Sequence, residues 1–153
     1  MARTLRLAAA LAAALVATSA AAGSRLAAPA NPSHAEECGS CHLAYPPGLL
    51  PAPSWTKLMA GLRQHFGTDA SVDAAATAAI SRYLGDHAAT GKRAATTGDG
   101  LRITQSPWFV RKHRKVEAAA WNRPSVKSAA NCGACHPGAA RADFDDHAVQ
   151  VPR

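Results

Sequence analysis

The chain has 153 residues, a formal charge of +7 and an aromatic content of only 5%. This length allows one ordinary domain or two very small ones, and an alanine-rich chain buries too little apolar area to stabilise two lobes without an added core component. The basic balance favours acidic protein surfaces, bound anionic groups or lipid headgroups as partners.

The N-terminus has the pattern of a secretory signal peptide. Arg3 and Arg6 precede an apolar stretch, residues 7–17, that is too short to cross a bilayer, and small residues follow up to Gly23. We expect cleavage near Ala22 and export to the periplasm, with a mature chain that does not itself span the membrane. Losing two of the 17 cations against 10 anions leaves a formal charge of +5. An exported protein meets no genome, so no nucleic-acid partner is expected.

Changes in composition predict the order of the remaining segments. We expect a signal peptide (1–22), a flexible Pro/Ala/Ser leader (23–32), a first lobe (33–90), a polar Gly-punctuated linker (91–100) and a second lobe (101–153).

Three helices are predicted in the first lobe. They are a short helix opened by the capping box of Ser33 and Glu36 and leading into Cys38, a helix from Ser54 to Phe66, and a helix from Val72 to Leu84 capped by Ser71. A proline-rich loop between the first two is expected to wrap the edge of a bound group.

The second lobe is predicted to open with a short strand, Leu101 to Gln105, followed by a helix from Pro107 to about Trp121. On that helix, apolar residues and one histidine share a face: Phe109, His113, Val116 and Ala120.

All four cysteines belong to two copies of the pattern C-x-x-C-H. The copies are Cys38, Cys41 and His42, and Cys132, Cys135 and His136. This pattern is the attachment signature of c-type haem: two thiols about one turn apart add to the porphyrin vinyl groups, and the following imidazole binds the iron. Two disulfides, two thiol redox centres or one structural zinc site are alternatives, but none requires a histidine after each second cysteine. We therefore predict two covalently attached haem c groups that supply the missing core.

Each haem iron needs a second axial ligand unless that position stays open. Met59 is the one methionine left after cleavage, so two His/Met haems are excluded by count. We predict His65 and His113 as the distal ligands, because each lies on an amphipathic helix where a buried imidazole needs a polar partner. Met59 remains the alternative for the first haem. The other histidines, His34, His87 and His147, are expected at the surface.

Sequence separation favours one pairing of the ligands. His65 follows His42 by 23 residues, and His113 precedes His136 by 23. Local closure therefore assigns His65 to the first haem and His113 to the second, while a crossed arrangement requires longer loops.

These motifs resemble those of the small exported dihaem cytochromes c. The resemblance lies in "ECGSCHLAYPPGLLPAPSWTKLMAGLRQHFGTDA", "WFVRKHRKV" and "NCGACHPGA", in that order. It implies an electron carrier with two low-spin bis-histidine haems of low potential, acting between a membrane b-type cytochrome and a small oxygen-binding monohaem cytochrome c.

The resemblance also implies a fold. We expect a mainly α protein with much irregular loop and two small haem-binding lobes. The N-terminal lobe is similar to class I cytochrome c, with a terminal Tyr83-Leu84 pair, and the C-terminal lobe is largely irregular around one helix.

Four cations flank His113, and such a charge run is typical of a polyanion-binding patch. Helical spacing turns Arg111, Lys112, Arg114 and Lys115 away from the face that carries His113. We predict that they dock a partner or contact haem propionates. A nucleic-acid or structural basic module is disfavoured by export and by the lack of interleaved aromatics. A haem enzyme or gas-binding protein with one open haem position stays the alternative to an electron carrier.

Overall fold

The computed structural model describes residues 26–97 and 100–153, without the side chains of 95–97. These ranges are mainly helical with much loop, as expected, and contain no β-strand. The five α-helices are Pro32–Gly39 (α1), Ala52–Ala60 (α2), Ala74–Asp86 (α3), Gly91–Thr97 (α4) and Pro107–Lys112 (α5). Short 3₁₀ turns occupy Pro47–Leu49, Leu62–Gln64, Ile103–Gln105, Ala118–Asn122, Cys132–Ala134, Ala139–Arg141 and Asp146–Ala148.

Some predicted segments fall outside these ranges. The signal peptide and the first residues of the leader, up to 25, are not among the described residues. None of the described helices combines the length and apolar character that crossing a membrane requires.

Side-chain caps set the start of α1 and α3, at residues other than those predicted. The Asn31 side chain accepts a hydrogen bond of 2.8 Å from the amide of His34, so α1 is capped two residues before Ser33, the predicted cap. The carboxylate of Asp73 accepts one of 2.8 Å from Ala76 and begins α3, which Ser71 was expected to cap.

The prediction for the second helix was wrong at both ends. The helix starts at Ala52, because a proline in its first turn lacks an amide that would be unpaired there anyway, and Ser54 is buried inside it. It stops at Ala60 because Gly61 is a poor helix former, so the predicted continuation to Phe66 is absent. A 3₁₀ turn replaces it and delivers the chain to His65.

The core of the first lobe lies between α2 and α3. It consists of Leu50, Trp55, Leu58, Ile80 and Leu84. The indole nitrogen of Trp55 donates a buried hydrogen bond of 2.7 Å to the carbonyl of Pro47. This bond fixes the proline-rich loop on the core, so the loop forms one wall of the lobe.

The helix predicted in the second lobe, from Pro107 to about Trp121, also ends early. It stops at Lys112, with His113 as its C-cap, instead of running to Trp121. In a continuous helix, residues eight positions apart are about 12 Å apart along the axis. The rings of His113 and Trp121 are 5.8 Å apart, because the chain turns after His113 and folds back. The predicted strand was wrong as well, since a 3₁₀ turn, Ile103–Gln105, stands in its place.

The described parts of two segments that were predicted to be loose have defined structure. The segment 91–100, predicted as a linker, contains α4, which packs against α5. Leu26, in the predicted flexible leader, is buried with an exposed fraction of 4%. The lobe boundaries themselves stay a prediction.

Candidate haem-binding sites

The first C-x-x-C-H motif lies at the end of α1. Cys38 is in the last turn of the helix, and the chain leaves it at Ser40, so that His42 projects from the following loop. The Nδ1 of His42 is 2.7 Å from the carbonyl of Leu43. Since a carbonyl only accepts, this contact makes Nδ1 the protonated nitrogen and leaves Nε2 free to bind a metal.

The second motif is held by a single 3₁₀ turn. The amide of His136 donates a 2.9 Å hydrogen bond to the carbonyl of Cys132, which brings both cysteines and the histidine to one side of the turn. The ring of Phe144 meets the His136 ring edge-on at 5.2 Å. The attachment residues are therefore brought together by local backbone geometry.

Each motif histidine faces one of the two predicted distal ligands. The ring centroids of His42 and His65 are 6.1 Å apart, and those of His113 and His136 are 6.2 Å apart. Two metal–imidazole bonds of about 2 Å each place the ring centroids roughly 6 Å apart. Both gaps therefore fit an iron atom, and the uncrossed pairing is the one the geometry supports. The axial ligation itself stays a prediction.

Two cavities adjoin these histidine pairs. One of about 450 Å³ is lined by His42, His65 and both cysteines of the first motif, and one of about 240 Å³ by His113, His136 and both cysteines of the second. Most of the other lining residues are apolar, which suits a porphyrin. Phe109 and Cys132 line both cavities, so the two sites are direct neighbours.

Burial changes the acidity of the site residues. It lowers the pKa of His65, and His42 lowers it further; burial lowers the pKa of His136, with a smaller contribution from His113. Both effects favour the neutral imidazole, which is the form that binds a metal. None of the four cysteines is in a disulfide.

Met59, the alternative ligand for the first haem, lines the same cavity as His65. It packs partly buried against the core cluster. His65 is the residue that faces His42 across a gap of metal-binding length.

The expectation for His34 was wrong. His34 is buried, lines the first cavity and contacts the ring of Tyr83 on α3 at 5.2 Å. Its position four residues before Cys38 on α1, on the same helix face, was the signal in the sequence. His87 is half-buried, and His147 is exposed as expected.

The four cations around His113 do not form one uniform patch. All four cations are exposed. Lys112 lines the second cavity and forms a 3.1 Å ion pair with Asp146. Their roles in docking or propionate contact stay predictions, and Lys112 is the one placed at the cavity.

Several lining residues of the second cavity had no recognisable signal in the sequence. They are Leu26, Arg93 from α4, and Val149 and Val151 from the tail. Arg93 also lies over the ring of Trp108 at 5.0 Å. Their segments lack periodicity, so only tertiary structure brings them to the site.

Two covalent attachment motifs, each with an imidazole pair at iron spacing in a mainly helical chain, define a c-type cytochrome with two haems. The model of the dihaem cytochrome c family matches residues 34–144, and the chain belongs to that family. Both haem groups are therefore c-type and covalently attached, and the protein is an electron-transfer haem protein.

Solved structures of dihaem cytochromes resemble the chain over most of its length. The diheme cytochrome c from Rhodobacter sphaeroides is 43% identical, with a TM-score of 0.69, and the match covers 77% of this chain and 99% of that one. The diheme cytochrome from Shewanella baltica is 39% identical, with a TM-score of 0.71 and coverage of 82% and 95%. No curated protein matches the chain.

Proposed function

We propose that the protein is a periplasmic electron carrier with two bis-histidine haems. It takes single electrons from a membrane b-type cytochrome or another quinol-linked donor and passes them to a small soluble haem protein. The observation that carries the proposal is the matching gap between His42 and His65 and between His113 and His136. With both axial positions filled, neither iron is open to substrate.

The haem groups supply a reversible one-electron Fe(III)/Fe(II) couple. The residues of the chain hold and tune it. Two imidazole ligands give a lower potential than a His/Met pair. The cations beside His113 oppose this by disfavouring the added positive charge of Fe(III).

The surface chemistry supports a docking role for three cations. Arg111, Arg114 and Lys115 are exposed close to His113, so an acidic partner would approach the second haem. Replacing all three by glutamate should slow the second-order reaction with an acidic redox protein and weaken its dependence on ionic strength. The matched control is Arg82→Glu, an exposed cation on α3. An equal effect in the control would contradict the assigned docking surface.

Absorption and electron paramagnetic resonance spectra test the ligation. The untreated protein should be entirely low-spin, and a redox titration should resolve two potentials below those of His/Met cytochromes. His65→Ala and His113→Ala should each convert one haem, and not both, to high spin. A high-spin haem in the unmodified protein would overturn the proposal, as would an unchanged spectrum in either variant.

The proposed location is tested separately. Expression with the native N-terminus should deliver haem-loaded protein to the periplasm with a mature end near Gly23. Mass spectrometry of that fraction measures both the cleavage point and the mass of two haems. An uncleaved N-terminus would contradict the export proposal.

A further inference from the structure

The two predicted distal ligands are held in very different ways. His113 ends α5 and stacks on the buried ring of Phe109, with centroids 3.9 Å apart. Its Nδ1 lies 2.9 Å from the carbonyl of Phe109 and donates to it. Trp121 covers a further side at 5.8 Å. Displacing His113 would therefore disrupt an aromatic stack, a hydrogen bond and the C-terminal cap of α5 at the same time.

His65 lies on a surface turn. Its Nδ1 is buried and has no hydrogen-bond partner among the described residues. A hydrogen bond at this nitrogen normally fixes the orientation of a ligating imidazole and raises its basicity. No described residue supplies that hydrogen bond to His65. By contrast, the Nδ1 atoms of His42 and His113 each lie within hydrogen-bond distance of a backbone carbonyl.

The turn that follows His65 is strained and exposed. Phe66 has a φ of 51° and Gly67 a φ of 100°, and the left-handed region is unfavourable for a bulky side chain such as Phe66. The Phe66 ring is 45% exposed although it lies only 4.8 Å from the His65 ring.

Few contacts keep this turn closed. The amide of Ala70 donates to the carbonyl of Leu62 at 2.9 Å and closes the base of the loop. The tip is held by the Thr68 amide, which donates to the His65 carbonyl at 3.1 Å, and by the guanidinium of Arg102, 4.2 Å from the Phe66 ring. The tip can therefore swing outward while the base stays closed, since exposed segments with few buried contacts open most easily.

The space around His65 suits a small neutral molecule. The first cavity has a volume of about 450 Å³, against about 240 Å³ for the second. The lining of the first cavity includes the apolar residues Met59, Leu62, Phe66 and Val72 together with His65, and this apolar lining favours a neutral ligand. Two charged residues of the same lining, Asp69 and Arg102, have opposite signs.

We propose that His65 is an exchangeable ligand, so that the reduced first haem site takes up a small neutral diatomic molecule, such as carbon monoxide or nitric oxide, while the second does not. The inference rests on the proposed bis-histidine ligation. In the exchange the bond from iron to the His65 nitrogen breaks and a bond from iron to the diatomic forms, with no change in oxidation state. The imidazole leaves with the turn toward solvent.

Rapid mixing of the reduced mature dihaem protein with carbon monoxide tests this exchange. We expect half of the total haem to form the carbon monoxide complex. The rate should level off as carbon monoxide rises, because dissociation of His65 becomes limiting. In His65→Ala that half should react fast and in direct proportion to the carbon monoxide concentration.

Variants outside the ligand set separate the turn from general effects. Arg102→Ala removes the guanidinium from Phe66 and should raise the limiting rate about two- to fivefold, the factor expected for an exposed cation–π contact. Arg82→Ala, an exposed arginine on α3, should leave the rate unchanged.

The outcomes are distinguishable from failure of the electron-carrier proposal. A high-spin haem before any gas is added overturns the bis-histidine ligation itself. A fully low-spin protein that takes up no carbon monoxide overturns only the exchange at His65. Uptake of carbon monoxide by both haems would also overturn the exchange at His65. So would a slow phase of carbon monoxide binding that persists in His65→Ala and becomes fast in His113→Ala.

Discussion

The hydroxyl of Tyr45 donates a hydrogen bond of 2.9 Å to the carbonyl of Ala130, although 85 residues separate them. The Tyr45 ring also stacks on His42, with centroids 4.9 Å apart. The same carbonyl accepts a 3.0 Å hydrogen bond from the amide of Cys132, the first attachment residue of the second haem. One side chain thus joins the proximal ligand of the first site to the attachment segment of the second. Burial raises the pKa of Tyr45, so its hydroxyl stays a donor at neutral pH.

Substitutions at Tyr45 should separate the stack from the hydrogen bond. Tyr45→Phe keeps the ring on His42 and should lower the free energy of unfolding by about 0.5–1.5 kcal/mol, the net value of a hydrogen bond. Tyr45→Leu loses the aromatic ring as well and should slow electron equilibration between the haems. Flash reduction followed by absorbance measures that rate, and chemical denaturation measures the stability. Tyr83→Phe, at the other tyrosine, is the control; an equal slowing there would contradict a specific role of Tyr45 in electron equilibration.

The two imidazole pairs differ in the angle between their ring planes. The planes are 25° apart for His42 and His65 and 82° apart for His113 and His136. Near-parallel planes donate π density along one direction and split two iron d orbitals, whereas near-perpendicular planes leave them almost degenerate. We expect a rhombic low-spin resonance from the first haem and a highly anisotropic one from the second. Electron paramagnetic resonance spectra of His65→Ala and His113→Ala assign each resonance to its haem. Two low-spin resonances of the same type in the unmodified protein would contradict the difference in ring-plane angle.

His34 should make the stability of the first lobe depend on pH. Burial lowers the pKa of His34 below the ordinary histidine value of 6.5, with a smaller contribution from His42. The unfolded chain therefore binds a proton at a higher pH than the folded chain does. The His34 contribution is fully present above about pH 6.5 and is lost as the pH falls through the folded pKa.

His34→Phe tests this dependence while keeping an aromatic ring against Tyr83. The variant should gain stability relative to the unmodified protein as the pH falls from 7.5 to about 5. Denaturant titrations of the haem-loaded protein at several pH values measure the difference. His147→Phe, at an exposed histidine, is the control. A constant difference between His34→Phe and the unmodified protein would show that His34 does not titrate in this range.

Trp55→Phe should expose how strongly the proline-rich loop depends on one hydrogen bond. The substitution removes the indole donor, and the Pro47 carbonyl keeps only the 3.3 Å hydrogen bond from the amide of Leu50. The free energy of unfolding should therefore fall by about 0.5–1.5 kcal/mol, the net value of one hydrogen bond. Val110→Ala removes an exposed side chain and should change stability by less than about 0.5 kcal/mol. Denaturant titrations measure both, and equal losses would contradict the assigned role of the bond.

The attachment chemistry could be predicted from the sequence because it is local. Two thiols and an imidazole act within five consecutive residues, so spacing alone specifies Cys38, Cys41 and His42. The helix ends could not be predicted in the same way. Periodicity continues past His113, but Trp121 must fold back against it, and only the tertiary contact shows this turn. Likewise, His34 lies in a polar stretch, and its burial depends on Tyr83, far along the chain.

The burial of Leu26 gives the molecule an order of assembly. Leu26 lies at the start of the described chain and Val151 near its end, yet both line the cavity beside His136. Contacts between distant parts of a chain form late, because their loop-closure entropy must be overcome first. A chain is synthesised from its N-terminus, so residues that enclose the first haem precede the tail that completes the second. The cavity of the second haem is therefore complete only once Leu26 and the segment with Val149 and Val151 have both packed beside His136.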